Sequence, residues 1–110
     1  MNQWDIWFYS FASEGDHPAV ILSPSETCLN PDVQEVNVLF ASSARPIARP
    51  PKRIEVALDA ANGLDWKTFV RCQKIYLVSK SELSRRKGRV SPTRQREISR
   101  KLIEVFRLPI

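Results

Sequence analysis

The sequence predicts a mainly β fold: a small barrel or strongly bent sheet of five to seven short strands, with one C-terminal amphipathic helix packed on it. Three observations carry this reading. Short apolar or alternating stretches recur from Trp4 to Val78, separated by Pro, Gly and Asn turn residues. No helical period appears before Ser81, and a clear one begins after Ser91. The chain of 110 residues is 43% hydrophobic, enough for one domain, residues 1–110, with a core that needs no staples.

Each element has its own warrant. Trp4 to Phe11 (WDIWFYSF) is aromatic-rich and bounded by polar residues, as a strand is. Trp4, Ile6 and Phe8 fall on one face and Trp7, Tyr9 and Phe11 on the other, so this strand needs cover on both sides. Ala12 to Pro18, with Gly15, reads as a loop. Ala19 to Ser23 reads as a second strand, stopped by Pro24. Pro24 to Asp32 (PSETCLNPD) is turn chemistry and reads as a loop. Val36 to Ser42 is a third strand. Ala44 to Lys52 carries Pro46, Pro50 and Pro51, which exclude a central strand or a helix. Arg53 to Leu58 (RIEVAL) alternates as a half-exposed strand does. Asp59 to Thr68 is a loop containing Asn62-Gly63, and Phe69 to Cys72 with Ile75 to Val78 gives two short strands or one bent one. Ser81 to Lys87 is expected to form a short helix. Ser91-Pro92 is an N-cap followed by proline at the first helical position. Ile98, Leu102, Ile103 and Phe106 then share one helical face, and the helix ends before Pro109.

Charge is unevenly distributed. The 17 Lys plus Arg exceed the 12 Asp plus Glu, for a net charge of +5. Residues 1–44 hold six acids and no base, whereas residues 74–110 hold eleven bases and three acids. A basic C-terminal third suits a polyanion or an acidic peptide, although solvated helix and loop charges give the same count.

Composition excludes several chemistries. One histidine and two distant cysteines, Cys28 and Cys72, do not make a zinc site of ordinary spacing or a disulfide framework. The three glycines are isolated, so there is no phosphate loop, and no G-x-S-x-G elbow occurs. No metal and no cofactor are implied. No stretch approaches the roughly 18 apolar residues of a membrane span, and the first residues lack a signal-peptide pattern, so a cytoplasmic location is expected. What remains is acid–base chemistry by Arg, His, Ser or Lys without a metal, or binding alone.

Several segments, taken in order, carry a family resemblance. Asp5-Ile6-Trp7 opens the first strand, and His17-Pro18-Ala19-Val20-Ile21-Leu22-Ser23 forms the second. The third strand ends in Ser42-Ser43. Gly63-Leu64-Asp65-Trp66 precedes a late strand with Val70-Arg71-Cys72, and a helix closes the chain. This set resembles the PemK/MazF (Kid-like) toxins of type II toxin–antitoxin systems over essentially the whole chain. The resemblance implies an SH3-like (CcdB/MazF-like) barrel with a C-terminal helix, acting as a homodimer. It implies a metal-independent endoribonuclease, an mRNA interferase on single-stranded RNA that inhibits translation and growth. It also implies neutralisation by a cognate antitoxin whose C-terminal segment is often acidic.

The departures from the family pattern bear on mechanism. The family's second strand usually opens with Arg-Pro, and that arginine assists catalysis; here His17 stands there. The late strand often reads Arg-Cys-Asp, whose Asp is a proposed base; here it is Arg71-Cys72-Gln73.

RNA cleavage without a metal uses the substrate's own 2′-OH as nucleophile, so the protein must move protons and stabilise phosphorane charge. On the resemblance, Arg71, His17 and Ser42 are the candidate catalytic residues, with Ser43, Gln73, Arg45, Arg86 and Lys87 for substrate binding. Arg71 suits bidentate contact to phosphate oxygens; the alternative is a strand-surface arginine in a salt bridge. Histidine is the side chain type that titrates near neutrality, so His17 suits an acid or base; the alternative is a loop residue beside a turn. The serines suit hydrogen bonds to phosphate, or only to their own backbone. Arg85, Arg86, Lys87 and Arg89 suit RNA phosphates, an acidic antitoxin tail, or solvation alone. Trp4, Trp7 and Tyr9 suit base stacking, but such residues more often fill a barrel core. Cys72 suits a small buried hydrophobe better than a nucleophile.

Three functions compete. The first is an endoribonuclease toxin, favoured by Arg71. The second is a catalytically decayed module of the same fold that binds RNA or a protein partner, favoured by His17 and Gln73. The third is a CcdB-like poison of a protein target, disfavoured by the ending Arg107-Leu108-Pro109-Ile110.

Overall fold

The computed structural model describes residues 1–12, 15–43 and 49–110, with only the backbone of residue 43. Arg45 and most of the proline-rich segment therefore lie outside the described residues. Among the described residues, seven strands and two α-helices follow in chain order: β1 (Asp5–Phe11), β2 (Gly15–Ile21), α1 (Ser25–Leu29), β3 (Glu35–Ser43), β4 (Glu55–Leu58), β5 (Thr68–Arg71), β6 (Tyr76–Ser79), β7 (Ser84–Arg89) and α2 (Pro92–Phe106). All pairings are antiparallel, in the order β4-β5-β3-β2-β1-β7, with β6 on β3. The sheet is curled, and the mainly β class with a C-terminal helix stands as the sequence predicts.

β3 is the axis of the sheet. Val38 pairs with Ile21 of β2 on one edge and with Tyr76 of β6 on the other. Further along that second edge, Ala41 to Ser43 pair with Val70 to Thr68 of β5. β5 and β6 thus lie in line on the same edge of β3 as two short strands, the first of the two alternatives that the sequence left open.

Alternation in β1 and β3 buries both faces of the curled sheet. Ile6, Leu39 and Ala41 point into one cluster with Val20, Val56, Val70 and Ile98 of α2. Phe11, Val36, Val38 and Phe40 point into a second cluster with Ala19, Ile21 and Cys28. Trp4 packs partly against the first, and Trp7 and Tyr9 partly against the second, as core residues do.

The sheet's far ends meet through glycine. Gly63 adopts φ +86°, and a Cβ there would meet the Gly88 Cα at 2.9 Å. A Cβ on Gly88 would in turn run into the Asn62 carbonyl oxygen. Only bare backbone lets the turn after β4 lie against β7. Buried Asn62 extends the closure, because its Oδ1 accepts the Ser91 N–H at 2.7 Å, at the head of α2.

Four local expectations are corrected. Residues 15–18 are strand, not loop, because the β1–β2 register continues to Phe11↔Gly15. Pro18 is tolerated because pairing with β3 begins only at Ala19. Ser25–Leu29 form a helix inside the expected loop, too short to display a period. Ser84–Arg89 form β7 rather than a helix, after a 3-10 turn at Lys80–Glu82, because the free edge of β1 recruits them. Finally, α2 starts and stops where predicted, but Ser91 makes no side-chain cap, and Phe106 is exposed beyond the helix's contact with β4.

Candidate active face

Side chains two apart on a strand share a face, and pairs in register share it across strands. β3 and β5 therefore set Phe40 and Ser42 beside Phe69 and Arg71, since Ser42 pairs with Phe69. On the other edge of β3, Ala19 of β2 pairs with Phe40, which brings His17 to the same face. Positions 17, 40, 42 and 71 thus meet although the sequence separates them widely.

Phe40 is the common floor. The His17 ring lies 4.8 Å from the Phe40 ring centroid at 45°. The Arg71 guanidinium carbon lies 4.5 Å over the same centroid. Phe40 is 2% exposed and meets Phe11 edge-on at 4.8 Å, so the floor is fixed by the second core cluster. Among the described residues Arg71 has no carboxylate partner, so no surface salt bridge there holds it. Its guanidinium is held by a ring face and keeps its N–H donors for something else.

Glu55 of β4 pairs in register with Arg71, yet its carboxylate serves another arginine. Arg49 Nη1 and Nη2 donate to Glu55 Oε1 and Oε2 at 2.8 and 3.1 Å, and the Lys52 N–H donates to Oε1 at 2.7 Å. These bonds, Arg49 first, hold the Glu55 carboxyl below its usual range. Arg49 also stacks on Phe69, 4.3 Å from its centroid. Neither Arg49, Glu55 nor Phe40 was singled out from sequence. The only sequence signal was the spacing Phe40-x-Ser42 and Phe69-x-Arg71, which places an aromatic beside each candidate.

The other candidates separate. Ser42 is half-buried on this face, opposite Phe69, whereas the side chain of Ser43 and all of Arg45 lie outside the described residues. Gln73 is exposed just beyond β5. Arg86 and Lys87 are committed within the fold. Arg86 Nε pairs with the buried Asp5 carboxylate at 3.3 Å, a site shared with Arg89 at 3.4 Å. Lys87 pairs with Asp65 at 2.8 Å, beside a cavity of about 230 Å³ that Phe8, Asp16, His17 and Trp66 also line. Cys72 is fully buried in the first cluster, and that burial pushes its thiol up to about 12, as befits a core residue rather than a nucleophile.

The sequence matches the family described as PemK-like, MazF-like toxin of type II toxin–antitoxin system over residues 2–106. The chain belongs to this family. No curated protein matches it. Solved structures agree with the fold of a PemK/MazF-like toxin. One is a mycobacterial endoribonuclease in complex with its cognate antitoxin, with TM-score 0.80 and 19% identity, covering 100% of this chain and 98% of that one. Another is the Mycobacterium tuberculosis toxin MazF-mt6, with TM-score 0.81 and 20% identity, covering 96% and 99%. A third is MazE–MazF from Deinococcus radiodurans, with TM-score 0.70 and 19% identity, covering 96% and 94%. This PemK/MazF-like chain thus keeps the family fold at low sequence identity. Among its described residues no helix is long and apolar enough to cross a membrane.

Proposed function

We propose that this toxin is a metal-independent endoribonuclease acting on single-stranded RNA in the cytoplasm. The observation that supports this best is Arg71, stacked on Phe40 beside His17 with its N–H donors uncommitted among the described residues. In the proposed reaction His17 accepts the proton of a ribose 2′-OH as its oxygen attacks the adjacent phosphorus. Arg71 and Ser42 donate hydrogen bonds to the equatorial oxygens as phosphorane charge develops. The P–O5′ bond breaks, the 5′-oxygen takes a proton from water while His17 returns its own to solvent, and the products carry a 2′,3′-cyclic phosphate and a 5′-OH. Atoms balance without a metal or a second nucleophile.

The same reading makes residues 1–110 one functional unit, working as a homodimer. It makes an acidic antitoxin segment the natural inhibitor, because such a peptide competes for the uncommitted arginine. The mycobacterial relative seen with its cognate antitoxin supports that pairing.

The test is cleavage of a long single-stranded RNA in EDTA by purified, antitoxin-free protein. Wild type should give discrete cuts ending in 2′,3′-cyclic phosphate. Arg71→Ala should abolish them, and His17→Ala should slow them by about 10²–10⁴-fold, the usual contribution of general acid–base catalysis. A folded wild type that cuts none of several RNAs would instead favour a decayed binding module, the alternative that exposed Gln73 and the committed Glu55 support.

A further inference from the structure

The candidate active face continues past Arg71 as a row of cations held over aromatic rings. Lys74 Nζ lies 4.5 Å from the Tyr76 centroid, Arg71 stacks on Phe40, and Arg49 stacks on Phe69. Lys67 Nζ adds a second cation 5.9 Å from Phe69. The rings follow one edge of β3, from Tyr76 opposite Val38 to Phe69 opposite Ser42. Four residues of strand make that row about 13 Å long. One strand of nucleic acid carries a phosphate about every 3.4 Å when stacked, so the row faces several phosphates.

The electrostatics of the row differ from those of most other bases on β7 and α2. Arg86 and Arg89 share Asp5, Lys87 pairs with Asp65, and on α2 Arg94 pairs with Glu97 and Lys101 with Glu104. In the row, Glu55 is the one carboxylate paired with these cations among the described residues, and it is spent on Arg49. Even Arg49 keeps donors. Its Nη1 hydrogens go to Glu55 and Pro50, and one Nη2 hydrogen goes to Glu55. Among the described residues that leaves Nε–H and the second Nη2–H without an acceptor, the side fork that grips a phosphate in two-point fashion. The rings limit the freedom these long side chains would lose on binding, and their faces also suit bases.

We propose that Lys74, Arg71, Arg49 and Lys67 form a phosphate track that seats the backbone of a single-stranded nucleic acid across the scissile position. The track rests on the nuclease reading for its direction past Arg71. It replaces Arg86, Lys87 and Arg89 of β7 as the RNA-guiding surface, because those three pair with carboxylates within the fold, whereas Arg85 lies over the Phe8 ring.

The test separates binding from chemistry. The probe is a fluorescent 2′-O-methyl oligoribonucleotide, which has no 2′-OH to attack, titrated by anisotropy at several salt concentrations. Single strands give a slope of about −0.7 per phosphate contact in log K against log salt. Wild type should show about −2 to −3, and exposed Lys67→Gln and Lys74→Gln should each flatten it by about 0.7. Arg96→Gln and Arg100→Gln on α2 remove the same charge and should leave the slope unchanged. Arg49→Lys keeps the charge beside Glu55 and should lower affinity several-fold at unchanged slope, through loss of the fork. Equal flattening by track and helix variants would overturn the proposal in favour of net charge alone. So would an oligonucleotide affinity indifferent to Lys74→Gln while an acidic peptide's affinity falls. A wild type that binds the probe with the expected slopes but cuts no RNA would sink the nuclease and keep the track.

Discussion

Replacing Phe40 with leucine removes the one surface that His17 and Arg71 share. The cost to stability follows from the contacts of the ring. Its edge-to-face pair with Phe11 at 4.8 Å contributes about 0.5–1.5 kcal/mol. The stack under Arg71 at 4.5 Å contributes about 0.5–1 kcal/mol. Leucine keeps most of the apolar burial, and the missing ring volume adds about 1 kcal/mol. Phe40→Leu should therefore lose about 2–3.5 kcal/mol, against the roughly 5–15 kcal/mol of a domain this size, and stay folded. Urea unfolding reads this as a lower midpoint at unchanged m. The effect on cleavage should be larger than stability explains. Two groups lose their common floor, and a misplacement of about 1 Å costs about 10²-fold in rate. Phe11→Leu is the control, since it removes the same edge contact, together with those to Tyr9 and Tyr76, while leaving the Phe40 ring under Arg71 in place. It should lose at least as much stability and cleave within a few-fold of wild type. If Phe40→Leu is destabilised as calculated yet cleaves at the wild-type rate, the ring is core filling and the platform reasoning fails.

Gly88→Ala forces the turn carrying Asn62 off β7 and should cost about 1–3 kcal/mol by urea unfolding; a change within experimental error would refute the glycine contact. Cys72 is buried with its thiol raised to about 12, and Cys28 is buried and raised by desolvation, so native protein should resist a thiol reagent at pH 8 and react fully in guanidinium. Rapid native labelling of Cys72 would contradict its burial. Glu55 has its folded pKa lowered, so its contribution is complete above the unfolded value of about 4.3 and is lost as pH falls through the lower folded value. Glu55→Gln should accordingly be less stable than wild type at pH 7, and the gap should close on acidification; a gap constant from pH 7 to pH 3 would show that the Arg49 pair does not set it.

The candidate active face was legible only in pieces. Arg71, His17 and Ser42 were singled out from ordered motifs, and all three stand on one face. Arg49 sits next to a proline-rich stretch with no strand alternation, so nothing local marked it. Arg86 and Lys87 looked like free basic residues because their partners, Asp5 and Asp65, are 81 and 22 positions away.

Local properties explain what the sequence determined by itself. Alternation in WDIWFYSF and RIEVAL, proline and glycine punctuation, and the period after Ser91-Pro92 depend on neighbours a few residues apart. They suffice for a mainly β chain closed by one helix. The tertiary structure decided the rest. It made Ser84–Arg89 a strand, because the open edge of β1 outweighs weak local preference. It placed Pro18 where β3 does not yet pair. It laid His17 and Arg71 on one phenylalanine, because the register of three antiparallel strands fixes which side chains meet, and register is a long-range property that no local window contains.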